Sequence, residues 1–208
     1  MLKMSRRQGS EEIVAFHDLC HSIVNWAKTA QAHHAAGFWQ LVELNHRYNC
    51  LLWDEEDLAR RQHVPDTEIA ANKRAIDGFN QKRNDAVERI DETLLDAFVK
   101  VERKPGARLN SETAGSMVDR LSILSLKTHH MRLQTVRIDV DQAHIDNCSA
   151  RLVRFLEQRR DLAGCFDRLV AESARGDAWF KIYRQFKMYN DPNLNPAVYG
   201  EKRQPKRA

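Results

Sequence analysis

The stretch EIAANKRAIDGFNQKRNDAVERIDETLLDAFVKV, residues 68–101, decides the fold. It holds no proline and one glycine, and it is built mainly from Ala, Leu, Ile, Glu, Asp, Lys and Arg. Such residues lose little freedom in a helix, whereas proline would remove a backbone donor and clash with the preceding turn. No alternating strand pattern interrupts the stretch. At 1.5 Å per residue it predicts a helix roughly 50 Å long. Val64-Pro65-Asp66-Thr67 breaks the chain before it, with Asp66 or Thr67 as the N-cap, and Lys104-Pro105-Gly106 is the turn that follows.

The same reasoning, carried outward, predicts helix over most of the chain. A first helix is expected from Glu11 to about His34, with Ile13, Phe16, Cys20, Ile23 and Ala27 on its apolar side, and a second from Phe38 to Arg61 after Gly37. Asn110 or Ser111 is placed to cap a fourth that carries Met117, Leu121, Leu124 and Leu126. A break near Ile138–Asp141 precedes a fifth, Gln142 to Ala174, ending at Gly176. Asp177 is expected to cap a short last helix through Met188, before an irregular tail. Five or six helices with short links make an all-α antiparallel bundle. The domain reading is a disordered basic start (1–10), one bundle domain (11–190) and a basic irregular tail (191–208).

With 208 residues, 42% hydrophobic and 30% charged, the chain is long enough for a real core. Its net charge of +4 belongs to the ends: Lys3, Arg6, Arg7, Lys202, Arg203, Lys206 and Arg207 against Glu201 leave residues 11–200 at −2. A nucleic-acid binder carries its basic charge on the folded body, so the balance argues against that class. No run reaches the eighteen or so apolar residues of a membrane span, and the start has no apolar leader, which points to the cytoplasm. Cys20, Cys50, Cys148 and Cys165 form no Cys-x-x-Cys pair and read as buried thiols.

Three helical stripes carry polar side chains where an apolar face is usual. They are Asn45, Asn49, Trp53, Glu56 and Arg60; Lys73, Asp77, Asn80, Asn84 and Glu88; and Asp119, Ser122, Lys127 and His130. The segments LLWDEEDLAR (51–60), NKRAID (72–77), NQKRND (80–85) and DRLSILSLK (119–127), which carry most of these residues, together with RQFKMYNDPNLNP (184–196), resemble a bacterial family catalogued as domain of unknown function 4254. The match departs at Asp54, where the family more often carries His. The resemblance implies an all-helical protein whose relatives accompany glycosyltransferases of cell-envelope glycan assembly. It implies no established activity.

If the stripes face one another, Glu56, Asp57, Asp77, Glu88 and Asp119 supply carboxylates, Asn49, Asn80 and Asn84 amides, and Arg60, Lys73, Arg120 and Lys127 cations. Hard oxygen ligands suit magnesium completed by substrate phosphates, and the cations suit the phosphate oxygens. Trp53 is placed to stack on a base or sugar. All-helical nucleotide pyrophosphatases hold magnesium with acidic pairs on adjacent helices, an analogy of architecture whose motifs are not matched here. The expectation is a pocket for a phosphorylated ligand, a nucleotide or nucleotide-sugar with magnesium. For phosphoryl or pyrophosphate hydrolysis, Glu56, Asp77, Glu88 and Asp119 are the catalytic candidates. Glu56 and Asp119 are the metal ligands, and Asn49, Trp53, Arg60, Lys73, Asn80, Asn84, Arg120 and Lys127 the substrate contacts.

Two readings compete with it. Glu56 with Arg60 and Lys73 with Asp77 also fit plain i,i+4 ion pairs on a solvated helix, and the chain also fits a non-catalytic interaction module for envelope-glycan enzymes. Either leaves oligomerisation open. Glu43-x-x-His46 and Asp141-x-x-His144 have the spacing of half a di-iron bundle site, although a full one needs Glu on two more helices. His17 and His21 have zinc spacing but no third partner at clear spacing, and so read as surface residues.

Overall fold

The computed structural model describes residues 9–186, 188 and 191–201. In chain order the elements are α1 (Ser10–His21), α2 (Trp26–Thr29), α3 (Gly37–Leu58), α4 (Asp66–Phe98), β1 (Arg108–Leu109), α5 (Ala114–Thr135), α6 (Gln142–Ala174), β2 (Ala178–Trp179) and α7 (Pro196–Glu201). The all-α bundle is confirmed, with five principal helices and two short ones among the described residues. Two hairpins, α3–α4 and α5–α6, pack side by side, and α1 lies against α5 and α6. Most of the basic ends lie outside the described residues; α7 falls within the segment expected to be irregular.

Ile13, Val42, Ile90, Val118, Leu121 and Phe166 are fully buried where the five helices meet, and Phe180 joins them from beyond α6. Thr113, not Asn110 or Ser111, caps α5 by accepting a hydrogen bond from Ser116 N–H at 3.1 Å. Asp141 caps α6 through His144 N–H at 2.8 Å. Ser10 donates from its backbone and its hydroxyl to Asp167, tying the start of α1 to α6.

Two sequence expectations fail for identifiable reasons. The first helix stops at His21 because the chain beyond it is pinned elsewhere. Arg47 on α3 donates to the carbonyls of Trp26 and Ala27 and covers the Trp26 ring at 4.4 Å, while the buried Glu43 carboxylate accepts from His33 and His34 N–H, both at 3.0 Å. These groups offer the segment partners that a continuing helix would forgo. The helix expected after Asp177 is replaced by β2, which pairs in parallel with β1 in the register Arg108↔Ala178, Leu109↔Trp179. Ala178 and Phe180 are buried at period-two spacing, which a strand supplies and a helix does not. Asp177 instead binds Lys104 at 2.7 Å and Arg175 at 3.0 Å.

Gly176 makes that turn possible. Asp177 N–H reaches back to Glu172 C=O and Gly176 N–H to Ser173 C=O, a Schellman ending with Gly176 at φ +76°. A Cβ there would also lie 2.2 Å from the Glu102 carbonyl oxygen. Gly115 serves the α4–α5 crossing: a Cβ would meet Val87 O at 2.4 Å, and its N–H donates to Asp91 Oδ1 at 2.6 Å.

Asp91 is almost wholly buried. Burial pushes its carboxyl up to about 6, although hydrogen bonds from Thr113 and Gly115 work the other way. The unfolded-state value is about 3.9. Below it both states hold the proton; between there and about 6 only the folded state does, so stability falls as pH rises through that window and then levels off. Asp91→Asn keeps an acceptor for Gly115 and mimics the protonated acid. Its unfolding free energy relative to wild type should therefore climb by up to about 3 kcal/mol between pH 4 and 6.5. Urea denaturation across that range measures it, and a pH-independent difference would show that Asp91 stays ionised.

Candidate functional site

The α3–α5 contact is polar where the bundle is most buried. Asn45, His46, Asn49 and Ser122 are between 0% and 4% exposed. Asn45 and Asn49 both donate from Nδ2 to Asp119 Oδ1 at 2.8 Å, and Asn49 also donates to Ser122 Oγ at 3.0 Å. Ser122 Oγ pairs with His46 Nδ1 at 2.8 Å. From α4, Arg83 approaches Asp119 Oδ2 at 3.7 Å. Asp119 therefore spends its lone pairs in joining three helices.

Next to this seam a cavity of about 340 Å³ opens between α3, α4 and α5. Asn49, Trp53, Glu56 and Asp57 line it from α3, Arg60 from the turn that follows, and Asn80 and Arg83 from α4, over a floor that includes Leu52, Ile123 and Leu126. Trp53 is fixed by stacking on His130 of α5, with centroids 4.5 Å apart and planes 7° from parallel. Glu56 and Arg60 pair at 2.8 Å on its exposed side. Arg83 donates from one terminal nitrogen to Asn84 Oδ1 at 3.1 Å, while its Nε is buried with no hydrogen-bond partner.

The three stripes do not all meet here. Asn49, Trp53, Glu56, Arg60 and Asn80 come together, with Asp119 behind them. Lys73 and Asp77 form an exposed ion pair one turn apart on α4. Asn84 and Glu88 face the segment after β2: Asn84 donates to Gln185 Oε1 at 3.0 Å, and Glu88 holds Arg184 at 2.9 Å. Arg120 and Lys127 line a broad groove of about 980 Å³ between α5 and α6, where Arg120 pairs with Glu112 and Lys127 sits over Phe155. Helical spacing alone did not single out Arg83. It lies three residues after Asn80, inside a segment already marked as polar, and that adjacency was the available signal.

The di-iron reading is corrected. Glu43 turns away from His46 to hold residues 33 and 34, and Asp141 is spent capping α6, so the two motifs do not converge. Burial works to raise the Glu43 carboxyl, but hydrogen bonds from His33, His34 and Arg47 hold it below the ordinary range. The histidines gather differently. His17 stacks on His46 at 4.3 Å, His21 stacks on His129 at 4.7 Å, and His21 meets His46 edge-on at 4.9 Å. Burial, then repulsion among neighbouring imidazoles, lowers His17 to about 3 and His21 to about 4, and it lowers His46 well below its usual value. All three are neutral at physiological pH. Of the thiols, Cys20 and Cys148 are buried, Cys50 is partly so, and Cys165 is exposed, against the expectation of four buried ones.

Removing Asp119 strands two buried amide groups, whereas removing the Glu56 charge releases an exposed pair. Asp119→Ala should cost about 2–4 kcal/mol of unfolding free energy, and Glu56→Gln a few tenths of a kcal/mol. Chemical denaturation of the two variants checks this ranking.

No curated protein and no solved structure matches the chain. The family model described as "Protein of unknown function (DUF4254)" matches residues 39–182, which include every residue named around the 340 Å³ cavity. The match starts after α1 and runs past β2, and over that length the chain belongs to the DUF4254 family.

Proposed function

We propose that the cavity between α3, α4 and α5 binds a small phosphorylated ligand, a nucleotide or nucleotide-sugar accompanied by magnesium. One observation carries the reading: two guanidinium groups, two carboxylates, two amides and an indole, from two helices and the turn after α3, line one concavity. A volume of about 340 Å³ suits a small ligand. Arg83 has a buried donor to spare, and exposed Arg60 is held by Glu56 through its carbonyl and its carboxylate, the latter a contact that a phosphate can replace. Glu56 and Asp57 offer the oxygen ligands for magnesium, which keeps its waters and shares phosphate oxygens. Trp53, held flat by His130, is the stacking surface for a base or sugar.

Binding is favoured over hydrolysis. Of the four carboxylates nominated for catalysis, Glu56 lines the cavity, Asp119 is occupied by amide donors, and Asp77 and Glu88 lie elsewhere. The interaction-module reading takes support from a different place, the α5–α6 turn, where Leu133, Val136 and the fully exposed Ile138 present apolar surface. Its partners would be the envelope-glycan glycosyltransferases that the family resemblance suggests.

Thermal unfolding with magnesium and a panel of pyrophosphate, nucleoside diphosphates and nucleotide-sugars separates the two. A ligand of this site at 100 times its Kd should add about 2.7 kcal/mol, raising Tm by several degrees. Arg83→Met and Trp53→Ala should remove that rise while staying folded. A panel that leaves Tm unmoved at millimolar concentration overturns the phosphate reading and leaves the module.

A further inference from the structure

On the other side of the Trp53–His130 stack lies a second constellation, independent of the phosphate reading. We propose that His21, His46 and Cys50 form a zinc site with three protein ligands and an open fourth position. Their donor atoms all lie within 4.8 Å of one another, and His46 Nε2 is 3.8 Å from Cys50 Sγ. A tetrahedral zinc ion with bonds of about 2.05 Å to nitrogen and 2.3 Å to sulfur sets that edge at about 3.6 Å. The pair therefore needs only a small contraction to grip an ion.

The surroundings complete the case. His46 and Cys50 stand four residues apart on α3, so both side chains leave the same face of one rigid helix. His46 has its Nδ1 engaged by Ser122 Oγ, which leaves Nε2 as the free donor and fixes the plane of the ring. Ser122 is held in turn by Asn49. His21 comes from α1, its ring stacked on His129, and its Nε2 is buried with no hydrogen-bond partner. A buried imidazole nitrogen left unpaired is costly, and coordination is a bond it can make. His17 packs face-on against His46 and stays outside the ligand set.

His21 and Cys50 also border a cavity of about 330 Å³ whose lining includes Cys20, Asp54, His129 and His130, the space onto which the fourth position would open. Three protein ligands beside a cavity is the arrangement in which zinc keeps a water or takes an exogenous ligand. Coordination converts the Cys50 thiol to a thiolate: the sulfur–hydrogen bond breaks, the sulfur keeps the electron pair for zinc, and one proton leaves to solvent for each ion bound.

The test uses the full chain, stripped with a chelator and titrated with cobalt(II), then with zinc. One cobalt per chain should bind with thiolate-to-cobalt charge-transfer absorption and the visible bands of a tetrahedral ion, and zinc should displace it with one proton released. Cys50→Ser should abolish the charge-transfer band. Ser122→Ala, which removes the partner that orients His46 and leaves all three ligands in place, should weaken zinc by about 10-fold or more. Cys165→Ser, at the exposed cysteine in the α5–α6 groove, should change neither. Zinc should also shield Cys50 from alkylation in the wild-type chain, a readout that needs no variant to fold. Helical wild-type protein that binds no cobalt through sulfur, or a Cys50 alkylated equally fast with and without zinc, overturns the proposal.

Discussion

The structure depends on one largely buried carboxylate, Asp119, and on the two amides that point at it. Asn45 and Asn49 lie in the interior, where an unpaired amide costs a few kcal/mol, so α3 and α5 are held at the one register that delivers both to the same oxygen. Apolar packing alone tolerates sliding by a turn; this contact does not. Arg83 brings α4 to the other oxygen, and the cavity between the three helices takes its shape from that agreement. The polar interior thus fixes the register of α3 on α5, and the proposed ligand site draws on the groups left unspent around it.

A second buried carboxylate does the same work for the N-terminal third. Glu43 is 2% exposed and gathers two backbone N–H groups, the His34 ring and Arg47. Residues 22–36 are thereby folded back over α3 instead of prolonging α1, while Ser10 on Asp167 and Asp18 on Arg159 hold α1 to α6, in the position that carries His17 and His21 against His46. The histidine cluster therefore depends on tertiary contacts that helix periodicity alone does not supply.

That difference explains what could be read in advance. The four long helices were legible because proline and glycine punctuate them and the residues between favour helix. Asn49, Trp53, Glu56 and Arg60 were legible as one wall because consecutive turns of a single helix repeat by local geometry. Which stripe faces which was not, since it depends on pairings such as Asn49 with Asp119, seventy residues apart. Lys73 and Asp77 look the same in sequence as Glu56 and Arg60, yet only the latter pair borders a concavity. His46 and Cys50 showed an i,i+4 spacing, but the third member arrives from α1 across a loop whose course periodicity cannot supply. The strand pair was hidden for a related reason: two residues carry no pattern, and only the burial of Ala178 and Phe180 makes the strand necessary.

The two proposed sites share a wall, and its chemistry ties them together. Asn49 Nδ2 serves both Asp119, which faces Arg83 and the polar cavity, and Ser122, which sets the ring of His46. Two donors on one nitrogen cannot be re-aimed separately, because the amide is planar and its hydrogens diverge at a fixed angle. A rotation of His46 large enough to release Ser122 would shift the donor geometry at Asp119, and a displacement of Asp119 would be felt at Ser122. The Trp53–His130 stack is a second bridge, with the indole lining one cavity and the imidazole the other. Packed side chains with few alternative rotamers transmit such changes as discrete rearrangements, not as gradual strain. A ligand in either proposed site would therefore act on the same two contacts, through groups already fixed in place by the register of α3 on α5.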